Sequence, residues 1–414
     1  MWKILLEEFF GDLREQKTRA FLTLFAMVWG TVSVVLLLAF GEGLRRSVTN
    51  GLLNAGERIF MVYGGQTGLP YQGLPEGRRV RLTEDDLTLL IEAIPEIEMG
   101  SPSYGRWGTS LRAGDRKTTT YMEGVNPEFG EMRHMFPAAG GRFLDPMDLR
   151  ERRRVLFLGN EIATRLFPSG DPVGRTVVLD GLPFTVVGVM EKKFQDSNNN
   201  GPDANRAIIP ASTFRTIYGS RYVGHLIVRP RDVQRAPYVK AELYRVLGNR
   251  YQFDAADERA LGIWDFIEDE KLNRAIGLGI QVFLGLVGGF TLLVAGVGVA
   301  NIMYVVVRER TREIGVRLAV GARKRHIVGQ FVGEALLIAL GGGLAGMLLA
   351  ATVVMGVDSI QSDNPAMEYI LNPKLSWPII GICVGILVSI GLAAGILPAR
   401  RAAELDPVES LRYE

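Results

Sequence analysis

The sequence holds one cysteine, Cys383, and three histidines, His134, His225 and His326, in 414 residues. A single thiol excludes an intrachain disulfide framework. It equally excludes zinc sites built from four cysteines or from two cysteines and two histidines. The histidines are scattered, with no H-x-x-x-H or HExxH spacing, and read as ordinary surface or strand residues. No G-x-S-x-G elbow and no nucleophile–base set can be placed. No G-x-x-x-x-G-K-[ST] run is present, so the chain does not cradle nucleotide phosphates by that device. A calcium-loop reading of Asp196, Asn198, Asn200 and Asp203 lacks its closing glutamate, because Ala207 stands where that ligand belongs. Charge is nearly balanced, 47 Lys+Arg against 45 Asp+Glu, which gives no pull toward nucleic acid.

Charge is not spread evenly. Mean hydropathy is +0.14 although the charged fraction is an ordinary 22%, which requires charge-free blocks beside a soluble portion. Four blocks meet the rule of about 20 apolar residues for a bilayer span. They run Ala20–Gly41, Ala275–Val307, Ala335–Val357 and Leu375–Ala399. The first exceeds the usual h-region of a secretory signal and no clean A-x-A site follows it, so it reads as a retained anchor. Transported ions leave Asp, Glu, His or Lys at mid-membrane, and these blocks hold almost none. That argues against an ion-coupled carrier or a polar channel through the four helices. Glycine pairs at four-residue spacing (Gly285/Gly289, Gly342/Gly346, Gly381/Gly385, Gly391/Gly395) suit close helix approach within one chain or between two.

Orientation follows the basic residues. Arg308, Arg310, Arg312, Arg317, Arg323, Lys324 and Arg325 lie between blocks two and three, and Arg400 and Arg401 follow block four. The loop between blocks three and four carries Asp358, Asp363 and Glu368 against Lys374 alone. The 308–334 loop and both termini are therefore expected in the cytoplasm, with 42–274 and 358–374 outside. Block two, at about 1.5 Å per residue, is longer than a hydrocarbon core of about 30 Å needs. Its helical pattern starts near Trp264, which predicts a stalk that continues into the external segment. Trp2, Leu5, Leu6, Phe9, Phe10 and Leu13 form the apolar face of an amphipathic N-terminal helix, suited to the membrane surface or to neighbouring protein.

The external segment reads as mixed α/β. Val80 to Leu82 reads as a strand, and Thr83 caps a helix that Pro95 stops. Strands are expected at 154–159, 207–209 and 225–228. A hairpin over 175–189 turns at Asp180-Gly181. Short helices are expected at 160–167, from a Ser212 cap to Tyr218, and at 233–248. Gln195 to Asn205 is a polar surface loop.

Three motifs give the chain a family resemblance. Arg308-Glu-Arg-Thr-Arg-Glu-Ile-Gly-Val-Arg-Leu-Ala-Val-Gly-Ala-Arg323 follows the apolar run Val297–Met303. Leu397-Pro-Ala-Arg-Arg-Ala-Ala-Glu-Leu-Asp-Pro-Val-Glu-Ser-Leu-Arg412 closes the chain. Earlier, in the external segment, Val155-Leu-Phe-Leu-Gly, Ala163-Thr-Arg-Leu-Phe167, Asp171-Pro-Val-Gly174 and Phe184-Thr-Val-Val-Gly-Val189 occur in order. Together these resemble the MacB/FtsX-like permease family of ABC transporters, the mechanotransmission class.

The resemblance implies an α-helical membrane protein with four transmembrane helices and a large external mixed α/β domain between the first two. Its expected parts are a cytoplasmic amphipathic helix (1–19), transmembrane helix 1 (20–41), a MacB-like core domain (42–270), a stalk with transmembrane helix 2 (271–307), a coupling-helix loop (308–334), transmembrane helix 3 (335–357), a short external loop (358–374), transmembrane helix 4 (375–399) and a cytoplasmic tail (400–414). It implies a permease subunit in the bacterial inner membrane that couples ATP hydrolysis to movement of the external domain. Docking on the ATPase falls to Glu309, Arg310, Thr311, Arg312, Glu313, Ile314, Gly315, Arg317, Gly321 and Ala322. Ile314, Val316, Leu318 and Val320 are expected to lodge in a groove of that partner. Many MacB proteins carry the ATPase N-terminally on the same chain, so here it is expected as a separate subunit that holds ATP and Mg. No cofactor or metal is expected on the permease. Further implied partners are a second permease, identical or related, a periplasmic adaptor and the lipid bilayer. The alternative function is a non-transporting regulator or sensor driven by the same machine; a membrane-anchored enzyme would need a catalytic set in 42–274, and none is found.

Overall fold

A computed structural model describes residues 17–193, 195, 199–360 and 373–404. Most of the N-terminal amphipathic helix, Asp196, Asn198, most of the 358–374 loop and the end of the closing motif lie outside the described residues. The chain divides into a helical unit, within 1–47 and 275–414, and an external unit, 48–274.

The described chain opens on α1 (Lys17–Ala55), longer than the apolar run that predicts it. Charges end a hydropathy run but not a helix. Glu42 accepts from Arg45 (2.9 Å) and Arg46 (2.6 Å) one turn on, which sustains the helix past Gly41.

In the external unit, β1 (Phe60–Gly64) and α2 (Glu84–Ala93) precede a long pair, β2 (Ile97–Ala113) and β3 (Arg116–Val125). After α3 (Glu128–Met132) and α4 (Pro146–Arg150) come β4 (Val155–Leu158), α5 (Asn160–Leu166), β5 (Thr176–Leu179) and β6 (Leu182–Val189). Then β7 (Arg206–Pro210), α6 (Ala211–Tyr218), β8 (His225–Pro230), α7 (Ala236–Tyr251) and β9 (Leu261–Asp265) complete it. The sheet runs β3-β7-β4-β6-β5-β2-β8-β1-β9. Because β2 also pairs with β3 along Ser103–Ala113, the first six strands close into a ring from which β8, β1 and β9 extend. The length of β2 makes this possible: its first half pairs with β8 and its second half with β3 and β5.

Alternate residues of the central strands enter different cores. Leu156 and Leu158 pack in one cluster and Phe157 in another; Ala207 and Ile209 divide from Ile208 in the same way. Strands covered on both faces read as unbroken apolar runs, which is why 155–158 and 207–209 were visible as short buried strands. Asp180 (φ 44°) and Gly181 (φ 90°) make the expected hairpin turn between β5 and β6.

Several expectations need correction. Val80–Leu82 is irregular backbone: the Val80 N–H donates to Gly65 O (3.0 Å), outside any named strand. Thr83 does open α2, with Asp86 accepting its N–H at 2.7 Å. Ser212 lies inside α6 and donates to Leu149 O (2.5 Å), while Pro210 precedes the helix. Trp264 belongs to β9, opposite Met61, rather than to a helix. The stalk helix starts at Phe266, where Asp265 Oδ1 accepts from the N–H groups of Ile267 and Glu268 (both 3.0 Å).

Beneath β3, β7 and the end of α1 lies a buried ionic network. Asp203 is fully buried and accepts from Arg133 (2.8 Å) and Lys193 (2.7 Å), with Arg206 at 3.2 Å. Arg206 also bonds Glu123 (2.6 Å). The three cations hold the Asp203 carboxyl far below its ordinary range against the cost of burial. Lys193 Nζ further donates to the carbonyls of Asn54 (2.7 Å), in the last turn of α1, and Arg133 (2.6 Å).

The helical unit continues with α8 (Phe266–Glu309), α9 (Thr311–Ala319), α10 (Lys324–Asp358) and α11 (Trp377–Ala403). The helices α1, α8, α10 and α11 are each long and apolar enough to cross a bilayer. At 44 residues α8 is about 66 Å long at the usual rise, twice a hydrocarbon core. Gln281 of α8 donates to Glu42 of α1 (3.1 Å), tying the two helices where the apolar run of α1 ends. Two glycine pairs sit at helix contacts. A Cβ on Gly342 or Gly346 would lie 2.8 Å from Met27 Cβ or 2.7 Å from Thr31 Cβ of α1, and one on Gly395 would lie 2.8 Å from Ala335 Cβ of α10. The other pairs, Gly285/Gly289 and Gly381/Gly385, have open space or loose contact.

Two predictions follow from these contacts. His225 is 2% exposed and its ring lies 4.8 Å from that of Tyr63. Burial, helped by Arg133 and Arg206, pushes its pKa down to about 4. An unfolded histidine titrates near 6.5, so the unfolded chain takes up the proton first as pH falls. Stability is complete above about 6.5 and is lost toward pH 4, by roughly 3 kcal/mol. Denaturation of the chain at pH 7 and pH 5 will show His225→Gln less acid-sensitive than the unsubstituted protein. Separately, Gly346→Leu will lower the melting temperature in detergent by several degrees, whereas Gly381→Leu will leave it within about 2 °C.

Candidate functional site

The 308–334 segment is a tight helical corner. Chain leaves α8 at Glu309, turns at Arg310, forms the nine-residue α9, and turns again before α10. The Thr311 hydroxyl donates to Arg308 O (2.8 Å) and so joins the end of α8 to the start of α9. Gly321 closes α9 with φ +97°, in the left-handed region that side chains resist; its N–H donates to Leu318 O (3.0 Å) and that of Ala322 to Arg317 O (2.9 Å). Arg323 is extended and precedes α10.

Seven of the ten residues expected to dock on a partner separate into two sets, while Thr311, Gly321 and Ala322 lie at the two ends of α9. Ile314 is 3% exposed and packs with Val307 of α8 and with Ile327 and Phe331 of α10. Gly315 is buried beside it. Arg310 reaches Glu334 (3.4 Å), a buried carboxylate on α10 that also accepts from Gln330 (3.3 Å). Arg317 donates to Gln330 (2.7 Å) and pairs with Glu313. Arg310, Ile314, Gly315 and Arg317 therefore brace α9 against α10. Glu309, Arg312 and Glu313 are exposed, as are Val316, Ala319 and Val320.

Ile314, Val316, Leu318 and Val320, expected to lodge together in a groove of the partner, do not share one face of α9. Two-residue steps on a helix turn through about 200°, so Ile314 and Leu318 share one face while Val316 and Val320 share the opposite one. The first pair packs inward; Val316 is 45% and Val320 84% exposed. Sequence reasoning passed over Glu334 and Gln330. The available signal was a carboxylate directly before an apolar block, which at a membrane edge needs a partner. The tail of α11 approaches the same corner, with the Arg401 guanidinium 5.0 Å from the Tyr304 ring of α8.

A second feature of the helical unit is a groove of about 750 Å³ between α8 and α11. Gly285, Gly289 and Gly385 floor it, and Leu286, Phe290, Leu293 and Ile382 wall it. Among the described residues no cluster of His, Cys, Asp and Glu could hold a metal ion.

Comparison with known proteins decides the family. Residues 20–246 match the MacB-like periplasmic core domain, and residues 285–407 match the FtsX-like permease C-terminal domain. The chain belongs to the MacB/FtsX-like permease family. It is 27% identical over 417 residues to the macrolide export ATP-binding/permease protein MacB of Bdellovibrio bacteriovorus, covering 99% of this chain and 61% of that protein. It is 32% identical over 402 residues to the pyoverdine export ATP-binding/permease protein PvdT of Pseudomonas putida, covering 96% of this chain and 57% of that one. The chain thus spans about three-fifths of the length of these relatives. The crystal structure of the periplasmic region of MacB from Actinobacillus actinomycetemcomitans matches 53% of this chain and 94% of its own length, with 18% identity and a TM-score of 0.43. As a MacB/FtsX-like ABC transporter permease with four bilayer-length helices, the chain is a multi-pass protein of the bacterial inner membrane.

The two sets of corner residues make different demands on stability. Glu334→Ala removes a buried carboxylate to which both Arg310 and Gln330 donate and will cost about 1–3 kcal/mol. Arg312→Ala, on the exposed side, will stay within about 0.5 kcal/mol. Thermal unfolding in detergent reads both; equal losses would remove the distinction between brace and exposed face.

Proposed function

We propose that this permease is the membrane part of an ABC exporter, and that α9 is its coupling helix on an ABC ATPase. The observation that carries the reading is the braced corner. A short helix held rigidly against α10, yet offering Arg312, Val316 and Val320 outward, suits transmission of a partner's movement. A loose loop would absorb that movement instead. The exposed valines supply an apolar ridge and the exposed Arg312 a charge match for an acidic groove. Glu309, Thr311, Gly321 and Ala322 shape the two turns that present the ridge. ATP and Mg belong to the ATPase, and the permease needs no cofactor of its own.

Both termini and the 308–334 corner lie in the cytoplasm on this reading, in line with the basic residues gathered there. The external unit faces the periplasm and works with a periplasmic adaptor. Cargo is gathered outside the cytoplasmic membrane, since the spans offer no ionisable path through their centre. The relatives are named for different cargoes, a macrolide in one and a pyoverdine in another, so the proposal stops at that class of route. A second permease, identical or related, packs along the groove between α8 and α11, where open glycines allow close approach.

The test is reconstitution of a candidate ABC ATPase in lipid, with and without this chain. Val316→Glu with Val320→Glu will cut permease-dependent ATPase activity by about tenfold, the effect of losing roughly 1.4 kcal/mol of docking energy, while leaving the melting temperature unchanged. Full stimulation in that double variant would move the docking surface elsewhere. Stimulation that never responds to an adaptor or candidate cargo would favour the regulator over the exporter.

A further inference from the structure

The external unit carries a cleft of about 290 Å³ that has no part in the coupling scheme, lined by Trp107, Thr119, Tyr121, Arg165, Asn200 and Asn205 among others. It is small for a ligand pocket, near the lower end of the range of about 300–1,000 Å³. Its walls are built with care. The register of β2 against β3 slips between Arg106 and Thr109, and Gly108 takes φ +73° there. The bulge thrusts Trp107 outward, 64% exposed, with its ring 4.7 Å from that of Tyr121 at 50°. Gly105 lets Tyr121 lie flat on the strand, because a Cβ at 105 would fall 1.9 Å from the phenolic oxygen. On the opposite wall Asn200 (φ 60°) and Gly201 (φ 92°) form a left-handed turn, and Asn200 donates to the Tyr121 hydroxyl (3.1 Å). Thr120 donates to the Asn205 carbonyl and pins that wall to β3. The Asn205 side-chain oxygen is buried and has no partner.

We propose that this cleft binds a saccharide, with one pyranose ring lying against Trp107 and its hydroxyl or acetamido donors reaching Asn200 and Thr119. An aromatic wall facing amide and hydroxyl groups suits a ligand whose faces carry C–H bonds and whose edges carry O–H or N–H bonds. A wholly apolar ligand would cover the Asn200 amide oxygen and the Thr119 hydroxyl without pairing them, at a cost of about 1–3 kcal/mol for each group left unpaired. A cation is disfavoured by Arg165 at the cleft and by Arg206, whose guanidinium lies 5.4 Å from the Tyr121 ring. An anion finds Arg165 already paired with Glu161 (3.0 Å). The volume holds one ring, so further sugars extend into solvent past the exposed indole.

The cleft is also tied to the end of α1. Its Asn200–Asn205 wall ends in the short helix that contains Asp203, and Lys193 bridges Asp203 to the last turn of α1. Occupancy of the cleft stiffens a wall that shares this bridge. The inference holds whether or not the chain exports anything.

The experiment uses the full chain in lipid nanodiscs, so that no sugar-headed detergent competes. Chitotriose and maltotriose are titrated separately by calorimetry. The expected result is saturable binding of at least one, weakened about tenfold or more in Trp107→Ala and retained in Trp107→Phe. Preference for chitotriose assigns an acetamido group to the cleft, and preference for maltotriose assigns hydroxyls alone. Melting curves accompany each variant. If Trp107→Ala melts lower, Trp107→Phe decides: retained binding supports the site and lost binding overturns it. Absence of binding by either trisaccharide up to about 10 mM, or binding that survives Trp107→Ala, overturns the proposal.

Discussion

The hydrocarbon core is the constraint on which the rest of this molecule depends. A bilayer offers backbone N–H and C=O groups no water, so segments that cross it must satisfy those groups internally as helices. About 30 Å of that environment sets a minimum length, and α1 and α8 exceed it. Their excess gives both helices long polar ends, including Glu42 with Arg45 and Arg46 on α1. The same constraint drives chemistry to the two ends of the helical unit. Charged side chains gather where the apolar runs stop, and some of them pair there, as Glu42 does with Arg45 and Arg46 and Glu334 with Arg310.

At one such end the pairing holds a short helix in place. Glu334 is buried at the start of the apolar part of α10, which is costly unless a cation comes with it. Arg310 supplies that cation from the turn after α8. Burial of Ile314 and the Arg317–Gln330 bond then fix α9 to α10. These contacts leave Arg312, Val316 and Val320 on the exposed side of the corner. The direction in which the exposed face points thus follows from pairing one carboxylate at a membrane edge.

The external unit answers a different problem. Nine strands could leave long exposed edges, and the chain avoids this by letting one strand, β2, serve three partners and close six strands into a ring. Strands covered on both sides leave little room for polar groups, and the charged side chains buried there are paired: Arg133, Lys193 and Arg206 around Asp203, Asp148 with Arg142, Arg229 with Glu98 and Glu131. Lys193 extends that network to the last turn of α1, giving its terminal carbonyl a partner.

The four spans, the family and the buried strands at 155–158 and 207–209 were legible in the sequence, because each rests on a local property: an unbroken apolar run, a residue motif, a turn dipeptide such as Asp180-Gly181. The β2–β3 pair was not legible. Glycines at 100, 105 and 108 and charges at 106, 112 and 116 break its alternation, and its stability comes from partners remote in sequence. Helix ends were also missed, since hydropathy reports where the membrane stops and not where hydrogen bonding stops; α1 runs on to Ala55 and β9 claims Trp264. At the corner, composition marked the segment but could not divide it. Whether an arginine there braces the fold or faces outward depends on which side of a nine-residue helix meets α10, and that is settled by Glu334 and Phe331 across the turn. Local chemistry written in the sequence determined the class of protein, while direction, inward or outward, was decided only by tertiary packing, because a helix has no inside until another element lies against it.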